Sequence, residues 1–166
     1  MALTPIDLFT RPGRGIAALF TSMFAHAGIV HAAGNMYFLW IFGSNLEDLL
    51  GRTRYAVLYV LFGFLSALIY SIAGPDKTVP MLGASGAVSG ILGGYLYLYP
   101  KIRVSVYTWW GPSFRVPAWV FLGIYFVGMQ ILGIVYKSQG VAWWAHLSGF
   151  LVGFATVPIL KKADLL

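Results

Sequence analysis

Three histidines, three serines and two side-chain amides stand inside stretches of this sequence that hold no charged residue: His26, His31, Asn35, Ser85, Ser89, Gln130, His146 and Ser148. A serine hydroxyl is a poor nucleophile until a base takes its proton, and neutral imidazole is the usual base near pH 7. Ser85 lies in Gly83-Ala84-Ser85-Gly86, after a loop carrying Pro75, Asp76 and Pro80. Glycines let the chain turn tightly there and enter a helix with the serine in its first turn. Unpaired backbone N–H groups and the positive end of the helix dipole then favour a developing anion. The G-x-S-x-G hydrolase pattern is not met, because position 87 is Ala.

His146 follows Trp143-Trp144, and tryptophans gather at headgroup level, so the imidazole should lie about 3–5 Å deeper. His31 and Asn35 are four apart and share a helix face. His26 is turned about 140° from His31 on an ideal helix and is expected in the preceding loop, with a structural role. The Ser85 N–H, the Asn35 amide and the His31 ring can then donate to a tetrahedral oxyanion. Glu47 and Asp48 fall at the opposite end of the His31 helix, and Asp7 and Asp76 in polar loops, which leaves a Ser85–His146 dyad without a carboxylate. Ser89, Ser148 and Gln130 read as interhelical hydrogen-bonders. Three histidines without HExxH give no metal site, and no cofactor is expected.

The elements that must position these groups follow from the charge distribution. Of 166 residues, 59% are hydrophobic and 10% charged, with a mean hydropathy of +0.79. An ordinary soluble domain carries about 25% charged residues, so a water-soluble globule and a disordered chain are both excluded. The absence of cysteine excludes disulfides, thiolate–zinc sites and cysteine nucleophiles. A net charge of +6 could suggest nucleic acid, but the basic residues fall in ones and twos between apolar blocks, as in loops between membrane spans. The expected environment is therefore a lipid bilayer, with no nucleic-acid partner.

Charge-free stretches predict an all-α polytopic bundle with five transmembrane helices near 19–43, 55–73, 84–99, 116–136 and 141–160. Trp109, Trp110, Gly111 and Pro112 read as an interfacial loop. Residues 1–18 are expected as an outward-facing juxtamembrane loop of one domain covering 1–166. Seven basic residues after the first and third helices and in the tail (Arg52, Arg54, Lys101, Arg103, Arg115, Lys161, Lys162) face four on the other side (Arg11, Arg14, Lys77, Lys137). That bias puts the C-terminus in the cytoplasm and the site towards the outer face of a cell membrane. Gly86, Gly90 and Gly94 in one helix and Gly149 and Gly153 in another form small-residue faces that suit close backbone packing.

Taken together, His26-x4-His31-x3-Asn35, Gly83-Ala84-Ser85-Gly86 and Ala145-His146-x2-Gly149-x3-Gly153 resemble the rhomboid intramembrane serine proteases, in the family's order and spacing. The resemblance runs from about residue 4 to the end. It implies Ser85 as nucleophile, His146 as general base, and His31, Asn35 and the Ser85 N–H as the oxyanion hole. His26, Gly83, Gly86 and Gly149 would support the site. Substrates would be transmembrane proteins cut near the outer end of a span, with the 116–136 helix as lateral gate and the loop before His146 as cap. The family's core has six helices, and the one preceding the histidine-bearing helix is expected to be missing. From the position of Ser89 some members stack a Tyr on the catalytic His, so packing would have to hold the base here. A non-catalytic rhomboid-like binder or chaperone of transmembrane segments is the rival reading, and retention of Ser85, His146, His31 and Asn35 together speaks against it. A small transporter is a third, disfavoured because the polar residues cluster near one surface.

Overall fold

The computed structural model describes residues 2–107, 111, 113–137 and 141–165. Those residues are mostly helical. Two short helices, α1 (Asp7–Thr10) and α2 (Pro12–Thr21), lead into a 3-10 turn at Ser22–Phe24. After a break come α3 (Ile29–Phe38), a π-helical turn (Leu39–Gly43) and α4 (Ser44–Leu50) in one continuous run. Next are α5 (Arg52–Ala73) and α6 (Ser85–Leu98). A hairpin of β1 (Arg103–Val106) and β2 (Phe114–Pro117) precedes a π-helix (Trp119–Phe126), which continues as α7 (Val127–Val135); α8 (Trp143–Lys162) closes the chain.

By length and composition α5 and α8 can each cross a bilayer. The expected helix near 19–43 is instead a bent pair, Pro12–Phe24 and Ile29–Leu50, which meet at 77° and pass the same test together. Gly28, extended at φ 168, immediately precedes α3 and separates its first turn from the 3-10 turn. The expected 1–18 loop is likewise largely helical, since Pro12 opens α2 with its φ already preset. The 14-residue α6 falls short of the ~20 residues that cross ~30 Å of hydrocarbon. Gly86 to Tyr95 are buried on every side, so α6 is an enclosed central helix. The apolar helix at Trp119–Val135 is also below that length. Val104 pairs with Val116 in the hairpin, where only a loop was expected; Trp109, Trp110 and Pro112 lie outside the described residues.

The core is organised around α6. Phe42, Leu46, Phe62, Leu122 and Phe150 converge on its Ile91 and Leu92 from α4, α5, α8 and the two π-helical segments. Its seam with α8 is backbone against backbone. A Cβ added to Gly149 would land on the Gly86 carbonyl, one added to Gly153 on the Gly90 carbonyl, and one added to Gly93 on the Phe150 carbonyl. Lipid tails are as apolar as leucine, so close van der Waals approach of this kind is what drives helices together in a bilayer. Hydroxyls on the same seam satisfy carbonyls inside the protein: Ser66 donates to Ala145 at 2.6 Å, and Ser148 donates to Ala145 at 3.1 Å. Ser66 has no exposed surface, and left unpaired in such a site it would cost several kcal/mol.

A second, smaller cluster ties the N-terminal segment to the loop before α6. Leu3 exchanges two backbone bonds of 2.8 Å with Met81, and Ile6 N–H donates to Lys77 at 2.9 Å. Asp76 in that loop accepts from the Thr78 hydroxyl at 2.6 Å and its N–H at 2.8 Å, which holds the carboxyl below its ordinary range. The α6–α8 seam yields a direct expectation. Gly153→Val should cost the fold at least the ~1–3 kcal/mol typical of overpacking, read as a sharply lower unfolding temperature in detergent. Gly128→Ala, which meets nothing within 4 Å, should leave it unchanged.

Candidate active site

Ser85 is the first residue of α6. Gly83, two residues earlier, sits at φ 122, a left-handed conformation that side chains rarely adopt. A Cβ there would also come within 2.7 Å of the His31 ring. Glycine at 83 therefore both turns the chain into α6 and lets His31 approach the serine. Its N–H donates to the Ser22 carbonyl at 2.9 Å, which fixes the turn against the 3-10 segment.

His146 stands in the first turn of α8, and its Nε2 is 2.7 Å from Ser85 Oγ. The two residues are 61 apart in sequence and meet because the glycine seam brings α6 and α8 together. On the other side of the ring, His146 Nδ1 lies 3.0 Å from Gln130 Oε1 on α7. The Trp143 ring meets that of His146 edge-on at 6.4 Å between centroids.

His31 is in the first turn of α3, and its Nδ1 accepts the Ala27 N–H at 3.4 Å. In the neutral ring that leaves the proton on Nε2, the nitrogen nearest Gly83. Asn35, one turn on and buried, donates one amide hydrogen to the His31 carbonyl at 3.1 Å and keeps a second. Ser85, His146, His31 and Asn35 all line one cavity of about 470 Å³, whose other walls include Phe38, Leu82, Val88 and Phe126. A hydroxyl with a base at hydrogen-bond distance, beside imidazole and amide donors, is a set able to attack a carbonyl and stabilise the resulting oxyanion.

The remaining expected residues fall around this group. His26 occupies the break before α3 and does not line the cavity; its ring stacks edge-on against His31 at 5.3 Å between centroids. Gly86 packs on Ser66, and Gly149 on Gly86. Ser89 is buried and lines the cavity wall. Neither loop carboxylate reaches the imidazole: Asp7 pairs with Arg14 at 3.3 Å, and Asp76 is held by Thr78. Packing alone was expected to hold the base, and Gln130 corrects that expectation, because it hydrogen-bonds His146 directly. The one sequence signal for it was a single amide in an otherwise apolar 21-residue stretch, 116–136.

Comparison with known proteins finds relatives along most of the chain. The rhomboid domain model matches residues 14–163. Rhomboid protein 1, mitochondrial, of Saccharomyces cerevisiae is 33% identical over 153 residues, covering 88% of this chain and 42% of the relative. Presenilin-associated rhomboid-like protein A, mitochondrial, of Danio rerio is 30% identical over 134 residues, covering 80% and 34%. RHOMBOID-like protein 1 of Arabidopsis thaliana is 32% identical over 137 residues, covering 82% and 32%. The chain thus spans less than half the length of the curated relatives it matches. With nearly its whole length matched and its polar motifs gathered at one cavity, this chain belongs to the rhomboid domain family.

Proposed function

We propose that this chain is an intramembrane serine endopeptidase that hydrolyses peptide bonds in or near transmembrane segments of membrane proteins. The observation that carries the reading is the 2.7 Å contact between Ser85 Oγ and His146 Nε2, made across two helices at a cavity that His31 and Asn35 also line. His146 Nε2 takes the Ser85 proton as Oγ attacks the scissile carbonyl, and a tetrahedral oxyanion forms. The Ser85 N–H, the protonated Nε2 of His31 and the free amide hydrogen of Asn35 stabilise that charge. His146 then protonates the leaving amine, whose C–N bond breaks, and an acyl-Ser85 ester remains. Water, deprotonated by His146, releases the ester and restores the serine.

A peptide bond within a helix is shielded by its own hydrogen bonds, so the substrate must unwind locally before attack. Spans holding small or helix-breaking residues near their outer end meet that requirement. The basic hairpin and tail would face the cytoplasm, and the cavity would open to the opposite face.

Ser85→Ala and His146→Ala should each abolish cleavage of a reporter transmembrane substrate in proteoliposomes while unfolding temperature and helicity are kept. A fluorophosphonate should label wild-type Ser85 covalently and fail to label His146→Ala. A folded wild type that neither labels nor cleaves would instead favour the non-catalytic binder. Separately, His31→Ala or Asn35→Ala should lower turnover by about 10²–10³-fold, the usual loss on removing one oxyanion donor, with KM little altered.

A further inference from the structure

Gln130 is 4% exposed and comes from a helix that contributes no group to the Ser85–His146 contact itself. Its side-chain amide has two ends of nearly equal size, and which end faces the imidazole decides where the ring proton sits. Gln130 Nε2 donates to the Phe126 carbonyl at 3.2 Å, one turn back on the same run of helix. That bond turns Oε1 towards His146 Nδ1, at 3.0 Å. An amide oxygen only accepts, so Nδ1 must carry the hydrogen, and Nε2 is left with the lone pair that points at Ser85 Oγ. The flipped amide would set two oxygens against each other at Phe126. It would also push the ring proton onto Nε2, where it would face the Ser85 hydroxyl as a donor and could not act as a base.

Packing repeats this constraint one turn along. A Cβ at Gly133 would land on the Trp143 indole, and Trp143 is one turn before His146 on α8. Gly133 against Trp143 and Gln130 against His146 therefore form two adjacent steps of one α7–α8 seam. The occupant suits its surroundings, because a neutral amide buried beside apolar helices avoids the desolvation cost of a carboxylate.

We propose that Gln130 is the positioning residue of this site: it fixes the His146 tautomer and ring orientation through Nδ1–H and leaves Nε2 as the base for Ser85. This rests on the protease reading above. No proton passes to Gln130 at any step; the proton shuttles between Ser85 Oγ, His146 Nε2 and the leaving nitrogen, while Nδ1–H stays in place.

The test uses the full chain in detergent micelles with ¹⁵N-labelled histidine, the His146 signals being assigned by their loss in His146→Ala. Wild type should show the Nδ1-protonated tautomer. Gln130→Met, similar in length but without an acceptor of comparable strength, should move the ring towards Nε2-protonated. It should also lower kcat by about 10²-fold with KM unchanged and slow fluorophosphonate labelling in parallel. Gln130→Glu should recover kcat and move the acidic limb of kcat/KM to higher pH, since a carboxylate beside an imidazole favours its cation. A Gln130→Met ring still Nδ1-protonated, or kcat lost without a change of tautomer, would overturn the proposal, as would an unmoved pH limb in Gln130→Glu. The tautomer shift decides the role of Gln130 even if no cleavage is seen, whereas Ser85→Ala and labelling of the wild type decide the protease reading.

Discussion

The contact on which this structure depends is the one between the α6 and α8 backbones. Glycine at 149 and 153 lets α8 lie directly on the Gly86 and Gly90 carbonyls, closer than any side chain would permit. That separation sets the reach between the first turns of the two helices, and with it the 2.7 Å between Ser85 and His146. Because α6 is surrounded on every side, the serine at its tip cannot drift without disturbing the central layer of the fold. A site built at the ends of rigid, glycine-packed helices gains in precision what a site on loops would lose.

Hydrocarbon supplies no hydrogen bonds, and the serines and amides of the interior are paired within the protein, whereas His26 Nε2 is buried among the described residues without a hydrogen-bond partner. Ser66 and Ser148 satisfy the Ala145 carbonyl at the start of α8, Ser71 bonds the Ala67 carbonyl, and Asn35 bonds the His31 carbonyl. The bonds to Ala145 and from Asn35 also brace the site, because Ala145 adjoins His146 and the Asn35 bond ties its side chain to the His31 backbone. The imidazole is bracketed between a hydroxyl on α6 and an amide on α7. Three helices thus meet at one ring, and its orientation reports on their relative placement.

Much of this was legible beforehand. Charge-free runs located α5, α8 and the Trp119–Val135 segment to within a few residues, since ionisable side chains are costly in hydrocarbon whatever the tertiary arrangement. The motifs around Ser85, His146, His31 and Asn35 carried the family, and four-residue spacing carried the glycine faces. The bend at Gly28 and the β1–β2 hairpin were not legible, because apolarity alone does not distinguish a straight span from two helices meeting at 77°, nor a loop from a short strand pair.

What the sequence determined by itself, then, is the apolar medium, the approximate place of the longer helices and the polar residues set within them, all of which depend on residue type and local period. What only the tertiary structure decided is which of those residues touch. Gln130 looked like any amide in a membrane helix, and its contact with His146 depends on how α7 lies against α8, with Gly133 under Trp143 and the amide turned by the Phe126 carbonyl. Such a contact is fixed by distances between segments far apart along the chain, and no local period encodes them.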